Sequence, residues 1–379
     1  MLSKACVVGA YQRKLEELAA LGDVELMAIV PPYWQEEARR IALERLYTRG
    51  YRLEVEPIRF NGRFHLFHFP GLARRMRDFR PEVLHVDEEP YNLATWHALR
   101  LGARFGARSL FFTWQNIYRR YPPPFRWMEQ HCFQMVDRAI AGNQEAAEVL
   151  RRKGFRKPIE VIPQFGVDPE VFRPLPRPSH PAPGGGPGDV ADAHRSPFRI
   201  GFVGRLVEQK GILDLVDAVA RAGEGCELLL VGAGPLQPSI ESRAAARGMS
   251  ERLRIIAGIP SRKMPEVIAS LDVLVLPSRT RPNWKEQFGR VLVEAMACQV
   301  PVVGSDSGEI PNVIGEAGLV FPEGDVDALA ACLEKLRSSN DLRRELGERG
   351  RARVLSHFTQ ARIARQTYQA YREMLDASS

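Results

Sequence analysis

The sequence predicts an α/β protein of two domains, each a parallel sheet covered by helices on both faces. Three observations carry this reading. At 379 residues the chain exceeds one ordinary hydrophobic core, and its size points to about two domains. Short apolar runs of strand length alternate with amphipathic helical stretches along both halves, the pattern of βαβ units. Residues 174–197 (PLPRPSHPAPGGGPGDVADAHRSP) are dense in Pro and Gly and lack periodic apolar positions, so they divide the alternation as a linker or loop.

In the first domain, 1–173, the strands expected are ACVV (5–8), VELMAIV (24–30), EVLHV (82–86), RSLFFT (108–113), RAIAG (138–142) and IEVIP (159–163). RKLEELAAL, YNLATWHALRLGARF and NQEAAEVLRRKGF supply helices between them. The second domain, 198–357, repeats the scheme with FRIGFVG, CELLLVGAG, RLRIIAG, DVLVLP, VPVVGS and AGLVF. Three helical segments without intervening strands close the chain, and the last, 358–379, is expected to pack back on the first domain. Two open parallel sheets imply a cleft with ligands beyond the carboxyl ends of the strands.

Composition narrows the class. No apolar run approaches the ~18 residues of a bilayer span, and MLSKACVVGAYQRK reads as a first strand, not a signal peptide. Cys6, Cys132, Cys226, Cys298 and Cys332 are scattered without a CxxC pair, which suggests neither disulfides nor zinc. The expected compartment is the cytoplasm. Residues 1–180 hold 28 Lys plus Arg against 21 Asp plus Glu, whereas the rest has 25 of each, so the whole net charge of +7 lies in the first half. ARRMRDFR, YRRYPPPFR and LRRKGFRK are its densest clusters. Singly they suit solvated helix faces. Together they allow attraction to anionic lipid headgroups or a pyrophosphate-bearing acceptor, hence peripheral contact with the inner face of the cell membrane. No nucleic-acid motif accompanies the charge.

The most informative stretch is LPSRTRPNWKEQFGRVLVEAMACQVPVVGSDSGEIPNVI, 276–314. DVLVLP ends in a loop, and Phe288 to Cys298 carries helical spacing, so the first amides of the Phe288, Gly289, Arg290, Val291 turn suit a phosphate. Glu286 lies just before the helix and Glu294 just over one turn inside it. Carboxylates repel phosphate, so the hydroxyls of a ribose and a hexose are their natural partners; each also suits a surface role at a helix start. FVGRLVEQKG places Gly204, Arg205 and Lys210 in a strand-end loop, a fitting clamp for a diphosphate. Further strand ends carry Gly234 in VGAGPL, and Gly258 and Ile259 in AGIP. In the first domain Gly9, His85, Asp87 and Glu88 (LHVDEEP), and Gln115 and Asn116 (FTWQN), are the acceptor-side candidates. There is no GxSxG, HExxH, Walker A or strand-end Asp-x-Asp, so metal-independent chemistry and no bound cofactor are expected.

EQFGRVLVEAMACQVPVV, with two glutamates eight positions apart after a Pro-Ser loop, closely resembles the signature of glycosyltransferase family 4. GRLVEQKG, VGAGPL, LDVLVLPS and SGEIPNVIGEAGLVFPEGD follow in that family's order over residues 198–360; HVDEEP, FTWQN and IPQFGVDPEVF extend the likeness more weakly into the first half. The resemblance implies a GT-B architecture, two Rossmann-like domains whose parallel sheets face each other across a cleft. It implies retaining transfer of a hexose from a nucleotide diphosphate sugar, a UDP- or GDP-sugar, to a saccharide or lipid-linked acceptor in polysaccharide or glycolipid assembly. Arg205 and Lys210 would bind the diphosphate, Glu294 the ribose, and Glu286 the donor sugar, while the amides from Gln287 to Val291 would hold sugar and phosphate oxygens. Gly9 stands alone where many members have Gly-Gly, Gln115 stands where a histidine is usual, and Gln299 replaces the usual glycine after AMAC. Other classes open to the sequence are a nucleotide-cofactor oxidoreductase, though no GxGxxG is present, and a sugar-nucleotide-binding protein without turnover.

Overall fold

The computed structural model describes residues 1–36, 39–176, 197–260 and 263–376. Most of the segment expected as a linker, 177–196, lies outside them. The chain divides into two units: Met1–Gly166 with Phe358–Ser379, and Val167–His357.

The first unit contains α1 (Arg13–Ala19), β1 (Met27–Val30), β2 (Tyr33–Glu36), β3 (Arg39–Ala42), β4 (Arg52–Val55), α2 (Leu72–Phe79) and β5 (Val83–Val86). They are followed by α3 (Leu93–Arg104), β6 (Arg108–Thr113), α4 (Phe125–Met135), β7 (Arg138–Ala141), α5 (Gln144–Arg152) and β8 (Ile159–Val161). β5, β6, β7 and β8 pair in that order, all parallel, and β1 pairs with β4, also parallel. Leu2 bridges Ile29 on one side and Val86 on the other, joining the two groups. Side chains alternate across this sheet as its period of two requires. Ile29, Val86 and Phe111 enter one core with Phe67, Phe69 and Leu72, while Ala28, Val30, Leu110 and Phe112 enter a second core with Leu15 and Leu18 of α1.

The strand expected at 5–8 does not form. Ala5–Val7 and Gly9–Gln12 are 3₁₀ turns, and the sheet contact falls on Leu2 instead. The Gln12 side chain takes over the ladder's role here, donating through Nε2 to Cys6 O at 2.9 Å and Glu44 O at 2.6 Å and accepting from Leu46 N at 3.1 Å. The antiparallel β2–β3 ribbon, β4 and α4 were not expected from the sequence, whereas α2 falls on the ARRMRDFR cluster read as a helix face.

The second unit begins its sheet with β9 (Phe198–Val203), followed by α6 (Ile212–Arg221), β10 (Cys226–Val231), α7 (Gln237–Ala246), β11 (Leu253–Ile256) and α8 (Met264–Ala269). β12 (Val273–Leu276), α9 (Arg290–Ala297), β13 (Val302–Ser305), α10 (Ile310–Ile314), β14 (Leu319–Phe321), α11 (Val326–Ser338) and α12 (Asn340–His357) complete it. The strand order β11-β10-β9-β12-β13-β14 is parallel throughout, a doubly wound Rossmann-like sheet whose order reverses between β9 and β12. The carboxyl ends of those two strands mark the expected ligand position.

α13 (Gln360–Asp376) returns to the first unit, where Ile363, Ala364, Tyr371 and Met374 join the core of α1. Its start is fastened by Gln360, which accepts from Gly166 N at 3.2 Å and donates to Gly166 O at 3.0 Å.

Gln299, just after α9, has φ +59°, the left-handed backbone for which glycine is suited. Gln299→Gly is expected to stabilise the protein by about 1 kcal/mol, read as a higher urea midpoint; an unchanged or lower midpoint would refute a strained cap.

Candidate functional site

The loops after β9 and β12 are locked together by their backbones. Gly211, at φ +64°, lies so close to Pro277 that a Cβ there would stand 1.9 Å from Pro277 O. Arg279 N donates to Gln209 O at 2.8 Å, and the Arg279 guanidinium grips Asp214 with two hydrogen bonds of 2.6 Å. This contact brings Lys210 to Glu286: Nζ lies 2.6 Å from Oε2, and Ser278 Oγ donates to the same oxygen at 2.8 Å. The Trp284 ring centroid lies 5.0 Å from the ammonium. Glu286 is also held from behind. Its carbonyl accepts from Glu309 N at 3.1 Å, and a Cβ on Gly308 (φ +56°) would stand 2.1 Å from it. Ser305 Oγ donates to Ser278 O at 2.5 Å, so β13 supports the serine that supports the glutamate.

α9 begins at Arg290, two residues later than the spacing suggests, because Gly289 caps it at φ +73°. Glu294 is buried on this helix, its Oε1 2.9 Å from Arg290 Nε. Burial pushes its carboxyl pKa up, and Arg290 opposes the shift. Gln287 and Arg290 are exposed at the helix start, whereas Phe288 and Gly289 are buried and Val291 is half-buried. Arg205 is exposed on the β9 loop. Gly204 O and Leu206 O lie against Gly232 and Gly234, which fastens the β9 loop to the β10 loop. Gly258 and Ile259 sit on the loop after β11. The structure thus joins Lys210 and Glu286 directly and sets the other predicted residues on strand-end loops of one sheet or on the helix that follows.

Ser278 was missed as a residue in its own right; its only sequence signal was its place in the Pro-Ser loop. Trp284, Asp214 and Arg279 gave none, because their roles depend on contacts between loops distant in sequence.

In the first unit the predicted residues lie in or just after β5 and β6, except Gly9, which opens the 3₁₀ turn before α1. His85 is 1% exposed, with Nδ1 2.7 Å from the Tyr371 hydroxyl of α13, and burial holds its pKa well below the ordinary imidazole value. Asp87 accepts from Ser3 Oγ at 2.7 Å and Gln164 Nε2 at 3.0 Å; Glu88 accepts from Lys4 N at 2.8 Å and pairs with the Lys4 ammonium. Gly9 N donates to Glu44 Oε2 at 2.8 Å. Gln115 Oε1 accepts from Lys153 Nζ at 2.7 Å, and Asn116 Nδ2 donates to Glu145 Oε2 at 3.2 Å. A neighbour in the same HVDEEP run was missed. Glu89 is buried, accepts from Thr113 Oγ1 at 2.6 Å and Trp114 N at 2.8 Å, and burial raises its pKa to about 7.

Residues 192–353 match the family described as Glycosyl transferases group 1, and residues 13–171 match Glycosyltransferase Family 4. Alpha-maltose-1-phosphate synthase of Mycolicibacterium smegmatis is 30% identical over 328 residues, 81% of this chain and 77% of that one. Among solved structures, sucrose-phosphate synthase from Thermosynechococcus elongatus superposes with a TM-score of 0.64 at 23% identity, covering 97% of this chain and 93% of the other. Anabaena HepE in complex with UDP gives a TM-score of 0.72 at 16% identity, with 98% of each chain covered. Two Rossmann-like units with this strand order define a GT-B fold, and the relatives that share it are sugar-transferring enzymes. The chain belongs to glycosyltransferase family 4.

Gly308→Ala is expected to cost about 1–3 kcal/mol through strained backbone and displacement of Glu286. Gly248→Ala is the matched control, since it shares a left-handed φ (+67°) but has no atom within 4 Å of the added methyl. Equal urea midpoints for the two variants would argue against the contact with Glu286. For Glu89 the folded pKa of about 7 exceeds the ordinary glutamate value of 4.5, so the folded state keeps a proton that the unfolded chain loses, and stability falls as pH rises through that window. Glu89→Gln has no such proton. Its stability relative to the parent is expected to rise by about 1–3 kcal/mol across the window, and a pH-independent difference in urea unfolding would refute it.

Proposed function

We propose that the enzyme is a retaining glycosyltransferase that moves a hexose from a nucleotide diphosphate sugar, UDP- or GDP-linked, to a saccharide or lipid-linked acceptor without a metal ion. The observation that carries the reading is the meeting of Lys210, Glu286 and Ser278 where the sheet order reverses, with α9 and its buried Glu294 directly following. Lys210, with Arg205 on the same loop, supplies positive charge for the leaving diphosphate, the task a divalent cation performs elsewhere. Amides from Gln287 to Val291 add the partial charge of a helix start. Glu286, its carboxylate met by Ser278 and its carbonyl by the Gly308–Glu309 backbone, offers a rigid carboxylate to hexose hydroxyls; Glu294 offers another to ribose. The leaving phosphate lies on the face that the acceptor approaches and takes the acceptor hydroxyl's proton as the new glycosidic bond forms. The carboxylates position the donor. The complex of Anabaena HepE with UDP, in a chain of the same fold, supports a nucleotide diphosphate donor.

Calorimetry with UDP and GDP is expected to show binding of one of them, and Glu294→Ala and Lys210→Ala each to weaken it. Loss of one charged hydrogen bond costs about 1.5–3 kcal/mol, roughly ten- to a hundredfold in affinity. Unchanged affinity in both folded variants would overturn the site. Turnover of the matching nucleotide sugar is expected to survive EDTA, and its loss would overturn the metal-independent part.

A further inference from the structure

The first unit exposes aromatic side chains that its fold does not use. Phe60 is 54% exposed, Phe64 39% and Trp127 56%. Ring contacts link the segments that carry them. The Phe60 centroid lies 6.1 Å from His68, and His68 lies 5.8 Å from His97 on α3. Trp96, the neighbour of His97, lies 5.5 Å from Trp127 on α4. His65, next to Phe64, lies 5.0 Å from Phe125 at the start of that helix.

The stretches of sequence that carry these rings are basic and hold no acid. Residues 57–77 and 90–128 contain neither Asp nor Glu. Arg59, Arg63, Arg100, Arg104, Arg120 and Arg126 are all exposed within those stretches, and among the described residues none has a carboxylate at ion-pair distance. The Arg100 guanidinium lies 4.7 Å from the Trp96 ring centroid, which places cation and ring on the same patch. Exposed aromatics cost solvation free energy unless something covers them. Arginines without counter-charges call for an anion. An anionic bilayer surface meets both demands at once: Trp and Phe side chains settle at headgroup depth, and guanidinium groups bind lipid phosphates. Among the described residues no helix is long and apolar enough to cross a membrane.

We propose that the surface formed by the Phe60–His68 segment, α3 and the start of α4 docks the enzyme peripherally on anionic lipid. This stands apart from the assignment of the donor site, since lipid binding is measured without any sugar nucleotide.

The test is sedimentation of the full chain with phosphatidylcholine vesicles prepared with and without phosphatidylglycerol. Binding is expected only with the anionic lipid and is expected to weaken as salt rises. Combined Arg59→Glu, Arg63→Glu and Arg126→Glu is expected to lower the vesicle affinity at least roughly tenfold. Arg344→Glu with Arg349→Glu, on α12 of the other unit, is expected to leave it unchanged. Should the triple variant not fold, quenching of tryptophan emission by brominated anionic lipid, reduced in Trp127→Phe, reports the same contact. No binding at low salt would overturn the proposal, as would equal loss in both charge-reversed variants, which would reveal attraction by net charge alone. Self-association abolished by the triple variant in the absence of vesicles would also overturn it, because a second copy would then be the occupant.

Discussion

The contact between Lys210 and Glu286 is the constraint on which the second unit's site depends. An ion pair with its side chains only 17% and 11% exposed gains little unless its geometry is good and its remaining lone pairs are satisfied. Here the geometry comes from backbone. Gly211 against Pro277 fixes the lysine loop to the glutamate loop, and Gly308 against Glu286 fixes the carboxylate from the far side. Ser278 satisfies an oxygen that Lys210 also reaches. The arrangement is preorganised: Lys210, Ser278 and Glu286 already stand together in the fold.

Much of this was legible in the sequence, for identifiable reasons. Buried parallel strands are continuous apolar runs, so CELLLV, DVLVLP and RSLFFT announce themselves, and the last two are followed by loops that bear polar residues. The spacing of Glu286 and Glu294 around a helix start was equally visible. Their partners were not. Lys210 and Glu286 are 76 positions apart, and their direct pairing is set by loop packing, which no local pattern encodes. The helix was expected to open at Phe288 and opens at Arg290, because a glycine at its cap is compatible with both registers until its φ is known. At the other end of the chain, ACVV has strand composition, yet its backbone groups pair within 3₁₀ turns and with Glu44 N, and the Gln12 amide takes Cys6 O.

The two units differ in how they treat charge. In the second, Val167–His357, 24 basic residues stand against 25 acidic ones, and many of the pairs, such as Arg279–Asp214 and Arg243–Asp217, brace neighbouring elements. The first unit keeps a group of carboxylates inside, where Asp87, Glu88 and Glu89 are met by Ser3, Lys4 and Thr113, and carries unmatched arginines outside. Burial of the acids removes the charges that would otherwise screen the surface cations, so the polarity of the interior and the character of the exterior have one origin.

The return of α13 has a consequence for the order in which the protein can be made. The second unit is one uninterrupted stretch, Val167–His357, whereas the first needs residues from both sides of it. As the polypeptide leaves the ribosome, the half synthesised first waits with Leu15, Leu18 and His85 lacking Ile363, Met374 and Tyr371, while the half synthesised later already has all its parts. This helix therefore works as a clasp that closes only after the second unit has been made, and a chain interrupted before it holds a finished second unit and an open, apolar first one.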